Sequence, residues 1–224
     1  MFYVKNNGLC FLFQKSFGTS GVNAIGSFQL SQLNSSSVQS KLKAGGINTN
    51  SKQYKAAVKQ MMSVGNGAMY GNIQGIKNLM SHYDKDGDYI NPVNGLAGLL
   101  VTDENESSRK RIISIPDSSK EEMYELTKKE FLRENGVHNG DTTKRTDVYN
   151  NLYRKMSKKD RLAAGYTLEK YERIYRQAFY DAAKKADPNW EIGKPIKDGA
   201  LDSVTRETAE SGKSPAQATL DTKI

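Results

Sequence analysis

The stretch TLEKYERIYRQAFYDAAKKADP, residues 167–188, decides the fold class. Leu168, Tyr171, Tyr175, Phe179 and Ala182 recur at three- and four-residue spacing, which puts them on one face of an α-helix and the charged residues on the other. Thr167 is a residue type that caps helix N-termini. Asp187 and Pro188 end the run, because the proline ring disfavours helical geometry in the residue before it. The reading is a long helix over 167–186 with an aromatic inner face.

Outward from that helix the pattern stays helical. Asp141 or Thr142 opens a helix reaching to about Met156, whose Tyr149 and Tyr153 supply a facing surface, and Ser157 with Asp160 closes a short turn. Ser118 with Glu121, repeated by Ser119 with Glu122, forms a capping-box pattern ahead of Met123, Leu126, Phe131 and Leu132. Earlier still, Tyr54, Ala57, Val58, Met61 and Met62 line a helix over 51–64, and Ile73, Ile76, Leu79 and Met80 line another over 73–83. Two short Ile- and Val-bearing segments, Leu99 to Thr102 and Arg111 to Ile115, flank the charged stretch Asp103 to Lys110 and predict a β-hairpin.

Residues 16–50 are rich in Ser, Asn, Gln and Gly, with Ser35, Ser36 and Ser37 consecutive, and too little apolar surface is visible there to offset ordering entropy. The expected organisation is a disordered leader over 1–46, a single mostly helical domain over 47–195 and an extended or disordered tail over 196–224, with Trp190 tacking the start of the tail to the core. The fold class is α+β with one hairpin.

The 224 residues carry a net charge of +8 and 37% hydrophobic residues, enough for one core of moderate size. The single cysteine, Cys10, excludes an internal disulfide framework and a multi-cysteine zinc site. The apolar run Leu9 to Phe13 is cut short by Gln14 and Lys15, so no Sec signal is predicted, and no stretch reaches the roughly 20 apolar residues that span a bilayer.

The segment built for chemistry is Asp84, Lys85, Asp86, Gly87, Asp88, which follows a predicted helix and sets three carboxylates at alternating positions around a glycine. Oxygens at the first, third and fifth places of a tight loop can converge on calcium, a hard cation that gathers six to eight of them. The loop is EF-hand-like but one residue short, lacking the usual sixth-place glycine. In that shortened register Tyr89 offers its backbone carbonyl, and Asn91 and Asn94 take the ninth and twelfth places. No bidentate glutamate closes the loop, so the expected Kd is weak, on the order of 10⁻⁴–10⁻³ M. The expected site is therefore a structural calcium ion held by Asp84, Asp86, Asp88, Tyr89, Asn91 and Asn94.

Other motifs carry less. Gly65, Gly67 and Gly71 approach a dinucleotide fingerprint, but a helix precedes them where a strand is needed. Gly212, Lys213 and Ser214 look like the end of a phosphate loop, yet Glu207 stands where its first glycine belongs. His82 and His138 have no sequence partner that makes either a catalytic base, and no nucleophile–base signature is present. Twelve Lys and Arg between Asp141 and Lys185, including Lys144, Arg145, Arg154, Lys155, Lys158, Lys159 and Arg161, interleave with tyrosines in the manner of a single-strand binder. Six acidic residues share the region and the tyrosines keep core spacing, which argues for a solvated face and against a nucleic-acid partner.

The stretch from Ile47 to about Pro195, with Tyr83 to Asn94, Ile112 to Glu122 and Asn139 to Arg145 as its marked runs, resembles an uncharacterised family of bacterial proteins classed as a domain of unknown function. The resemblance implies a free-standing bacterial protein and brings no activity, cofactor or catalytic residue with it. The functional expectation is a calcium-stabilised, non-catalytic interaction module, extracellular by a non-Sec route, whose partner is a protein or a surface glycan. The alternatives are a cytoplasmic nucleic-acid binder using the basic helices over 141–185, or an enzyme with no recognisable motif.

Overall fold

Ser35 accepts a hydrogen bond from the Val38 N–H at 3.3 Å and so caps a helix, α1 (Ser36–Ala44), inside the stretch whose composition predicts disorder. The computed structural model describes residues 27–64, 70–138 and 143–211. The chain divides into two units between Val101 and Thr102.

In the N-terminal unit, α1 is followed by α2 (Lys52–Val64) and α3 (Ile73–Met80). Two-residue strands, β1 (Phe28–Gln29) and β2 (Tyr70–Gly71), pair antiparallel with Phe28 opposite Gly71. Val38 and Leu42, four residues apart, fall on one face of α1 and are buried with Phe28, Leu30, Leu33 and Ile47 against Tyr54, Ala57 and Met61 of α2 and Ile76 and Leu79 of α3. Asn72 caps α3 by accepting from the Gly75 N–H at 2.7 Å. The Gln39 side chain donates both to the Leu33 carbonyl at 2.9 Å and to the Tyr54 hydroxyl at 3.2 Å, tying α1 to the turn before it and to α2.

The C-terminal unit is built on α5 (Asp117–Arg133), α6 (Thr143–Lys155) and α7 (Arg161–Ala186), after a single-turn helix α4 (Glu106–Arg109) and before a five-residue helix α8 (Arg206–Glu210). Tyr124 meets Tyr175 at 5.4 Å and Phe131 meets Phe179 at 5.7 Å, so α5 and α7 run in the same direction. Glu122 meets Lys155 while Glu130 meets Arg145, so α6 runs opposite to α5. Gly165 lets α6 approach α7: a Cβ there would lie 2.5 Å from the Tyr153 hydroxyl.

Several sequence expectations need correction. The leader over 1–46 is not uniformly without structure, because residues 28–44 supply a strand, a helix and five core side chains whose shared burial is a tertiary fact. Residues 1–26 lie outside the described residues. In the tail over 196–224 the described residues 196–211 are structured, with Leu201 and Ala209 buried and α8 packed on α7, and residues 212–224 lie outside the described residues. The single domain over 47–195 does not coincide with either unit.

The hairpin is absent from the two segments that predicted it: neither forms a strand, the unit boundary runs through the first, and α4 occupies part of the charged stretch between them. The Ile113 N–H donates to Thr167 Oγ1 at 3.1 Å, so its hydrogen bond goes to a helix side chain instead of a strand. The fold is mostly helical, and among the described residues the α+β label rests only on the β1–β2 pair and two isolated bridges.

The long helix begins at Arg161, six residues ahead of Thr167, whose hydroxyl instead donates back to the Ala163 carbonyl at 2.8 Å. The helix α5 starts at Asp117 with Pro116 as its cap and no capping side chain, so Ser118 and Ser119 lie inside its first turn. The expected start of α6 at Asp141 or Thr142 lies outside the described residues.

Candidate functional site

The aspartate loop sits where α3 ends against the start of α2. Asp84 Oδ1 accepts from the N–H groups of Asp86 at 2.9 Å and Asp88 at 3.0 Å, an arrangement in which an aspartate carboxylate closes its own turn. The backbone closes it a second time, with the Asp84 N–H donating to the Asp88 carbonyl and the Gly87 N–H to the Asp84 carbonyl, each at 2.9 Å. Gly87 has φ +86°, and a Cβ there would lie 3.1 Å from the Lys52 carbonyl, so turn handedness and contact with α2 both require glycine. Gln53 of α2 donates to the Tyr83 carbonyl at 2.9 Å and fixes the loop to the same helix.

Tyr83 and Tyr89 form an antiparallel bridge and an edge-to-face ring pair at 5.9 Å beneath the turn. Burial, with Tyr89 adding to it, pushes the Tyr83 phenol up to about 12, and burial raises Tyr89 as well. Both rings are therefore neutral supports, and the charged groups of the turn are Asp84, Asp86 and Asp88 with the exposed Lys85 among them.

Asn91 and Asn94 shape a second turn. Asn91 Oδ1 accepts from the Val93 N–H at 2.9 Å and Asn94 Oδ1 from the Leu96 N–H at 3.0 Å, and an Ile90–Ala97 bridge joins the turn's two arms. The six sequence-predicted ligands thus fall into two consecutive turns: the three aspartates share the first, Tyr89 lies in the bridge below it, and the two asparagines hold the second. Among the described residues no group of three or more His, Cys, Asp or Glu stands ready to hold a metal ion.

A family model for a domain of unknown function, DUF3879, matches residues 47–224. The chain belongs to that family. No curated protein and no solved structure matches it. The DUF3879 match starts at Ile47, so α1 and its core residues precede it, and it takes in α8, well past the limit expected at Pro195. No helix among the described residues of this DUF3879 protein is long and apolar enough to cross a membrane.

The C-terminal unit of the DUF3879 chain holds a buried cluster of charge that the sequence reading missed. Arg145 of α6 donates to Glu130 of α5 at 2.7 Å, pairs with Glu172 of α7 at 2.9 Å and lies 3.1 Å from His138 Nε2. Arg176 donates to the Gly136 carbonyl at 2.9 Å and stacks over Phe131. Burial raises the pKa of the Glu172 carboxyl against the opposing pull of Arg145 and Arg176. His138 stands at the edge of the cluster with its side chain 40% exposed and 3.9 Å from Glu172, and partial desolvation, joined by Arg145 and Arg176, lowers it to about 4. A neutral His138 ring is what the geometry requires, since only an unprotonated Nε2 can accept from a guanidinium.

Arg145 thus joins carboxylates of α5 and α7 to α6, and one guanidinium ties the three helices together. Arg145 therefore does not belong to the solvated basic face, whereas Lys144, Arg154, Lys155 and Lys159 are exposed as expected. One signal for the cluster was available: Glu172 and Arg176 share the α7 stripe of Leu168, Tyr175 and Phe179.

Proposed function

We propose that this DUF3879 protein is an interaction module that takes calcium at its aspartate turn and presents the stiffened loop over 84–97 to a partner. The observation that carries the reading is the hold on Asp84, whose Oδ1 is fixed by the amides of Asp86 and Asp88. These two bonds orient Asp84 within the turn. Asp86 and Asp88 are exposed at alternating positions on the same turn. Three negative charges within five residues repel one another, and a divalent cation removes that repulsion.

In this proposal the Tyr89 carbonyl and water complete the shell. Asn91 and Asn94 keep the adjacent turn in shape and join only by giving up a backbone bond. The Kd is on the order of 10⁻⁴–10⁻³ M. A site that weak fills where calcium is plentiful, so the reading carries an extracellular location and a protein or surface-glycan partner. Titration calorimetry of calcium into the full chain tests it. Saturable binding lost in Asp86→Ala supports the proposal, and no binding heat at millimolar calcium refutes it.

A further inference from the structure

The segment from Leu201 to Glu210 lies along α5 and α7 of the C-terminal unit, and its attachment is mostly polar. Arg206 Nε stands 2.8 Å from Glu121 Oε2, and its Nη1 stands 3.2 Å from Glu210 Oε1 and 3.6 Å from Asp117 Oδ1. The Tyr175 hydroxyl donates to Glu210 at 2.7 Å, and the Tyr124 hydroxyl donates to the Val204 carbonyl. Leu201 and Ala209 are its buried apolar anchors. Upstream, the Gly193 N–H donates to the Asn135 carbonyl and Trp190 Nε1 to the Lys194 carbonyl, each at 2.8 Å, and residues 195–200 beyond them are exposed or half-buried with positive φ at Gly199.

We propose that this segment is a tethered ligand, docking on and leaving a peptide-binding groove between α5 and α7 while the three long helices stay folded. Three physical points support it. A helix of five residues lies far below the length that is stable alone, so α8 forms on docking and melts on release. Ion pairs at a partly solvated surface hold weakly and are screened by salt, whereas the α5–α7 contact beneath is made of buried rings in edge-to-face and tilted contact. The run 195–200, which follows the anchored Lys194, keeps the effective concentration of the released segment of order millimolar, enough to hold a weak ligand in place.

The groove's own chemistry defines what fits it. Tyr124, Tyr171 and Tyr175 supply aromatic surface, Lys120 stands 5.0 Å over the Tyr171 ring, and Asp117 and Glu121 provide acidic groups. The matching ligand is a single helical turn with an arginine and a glutamate four residues apart and a small apolar residue between them. Arg206, Ala209 and Glu210 meet that description in cis. This inference is independent of the calcium reading, since the groove lies in the other unit.

Hydrogen exchange on the full chain, read by mass spectrometry at low and high salt, tests it. The amides of Ala209 and Ser211, which bond to Thr205 and Glu207, should exchange at least about tenfold faster than those of 172–179 in α7, and faster again at high salt. Arg206→Ala should speed exchange over 201–211 and leave 172–179 unchanged. Should that variant misfold, Glu210→Gln, which keeps the shape, should give the same selective effect. A synthetic peptide of residues 201–211 should bind the released variant saturably and the wild type weakly. Exchange of 201–211 in step with α7, or a released variant that ignores the peptide, would overturn the proposal.

Discussion

Arg145 and Glu130 meet at 2.7 Å with both side chains almost sealed from water, joining α6 to α5 through charge where the surrounding core is apolar and aromatic. Glu172 of α7 takes the same guanidinium at 2.9 Å, so one arginine holds two carboxylates that would otherwise repel each other. A buried pair of this kind fixes register more than it adds stability, but losing one member leaves uncompensated buried charge.

Arg145→Met should therefore cost about 3–5 kcal/mol in chemical denaturation of the C-terminal unit. Trp190, the chain's only tryptophan, is buried in that unit and reports its unfolding. The double variant Glu130→Gln, Glu172→Gln should recover much of the loss when combined with Arg145→Met. A loss below about 1 kcal/mol, the range of an exposed pair, would mean that the cluster is solvated.

His138 gives the unit an acid sensitivity of known sign. Its folded pKa, lowered to about 4, lies below the unfolded value of about 6.5, so the unfolded chain binds more protons between those limits. The stabilisation is complete above about 6.5 and is lost as pH falls toward 4. Glu172, raised by burial, acts in the opposite sense, its contribution fading as pH rises through its own titration. The difference in stability between wild type and His138→Gln, measured by urea unfolding across this window, isolates the histidine. The wild type should lose more stability on acidification, and equal slopes would remove His138 from the cluster's chemistry.

Leu42 is fully buried at the centre of the N-terminal unit, and Leu42→Ala should cost about 2–5 kcal/mol. Deleting residues 1–46 should unfold the N-terminal unit, because it removes Phe28, Leu30, Leu33, Val38 and Leu42 together. A truncated chain whose N-terminal transition melts with the full-length one would contradict the packing described for α1.

What could be read in the sequence tracks how far each signal is local. The α2, α3 and α7 stripes repeat within one helix, so Tyr54, Ala57, Met61, Ile76, Leu79, Tyr175 and Phe179 are core residues, as their spacing predicts, whereas Met62 of the α2 stripe and Leu132 of α5 are exposed because each lies one position off the buried face. In α1 only Val38 and Leu42 mark the buried face, and three serines around the N-cap look the same in a coil as at a helix start. The tail hides its contacts likewise, since Arg206 and Glu210 read as solvated charges until α5 and Tyr175 are beside them. At the aspartate loop the turn itself was legible from Asp and Gly. That Asn91 and Asn94 close a separate turn was not, because an asparagine oxygen that caps a backbone and one that binds a cation have the same spacing.

Thermal unfolding of the full chain in excess chelator and in millimolar calcium tests the central proposal most directly, with circular dichroism following both units and Trp190 emission following one. Calcium at about a hundred times Kd should stabilise the N-terminal transition by about 2.7 kcal/mol and leave the Trp190 transition in place. Asp86→Ala should abolish the gain and, in chelator, should be neutral or mildly stabilising as repulsion among the carboxylates is relieved. An N-terminal transition that stays at one temperature in chelator and in calcium would contradict the account and leave Asp84, Asp86 and Asp88 as the residues of a turn.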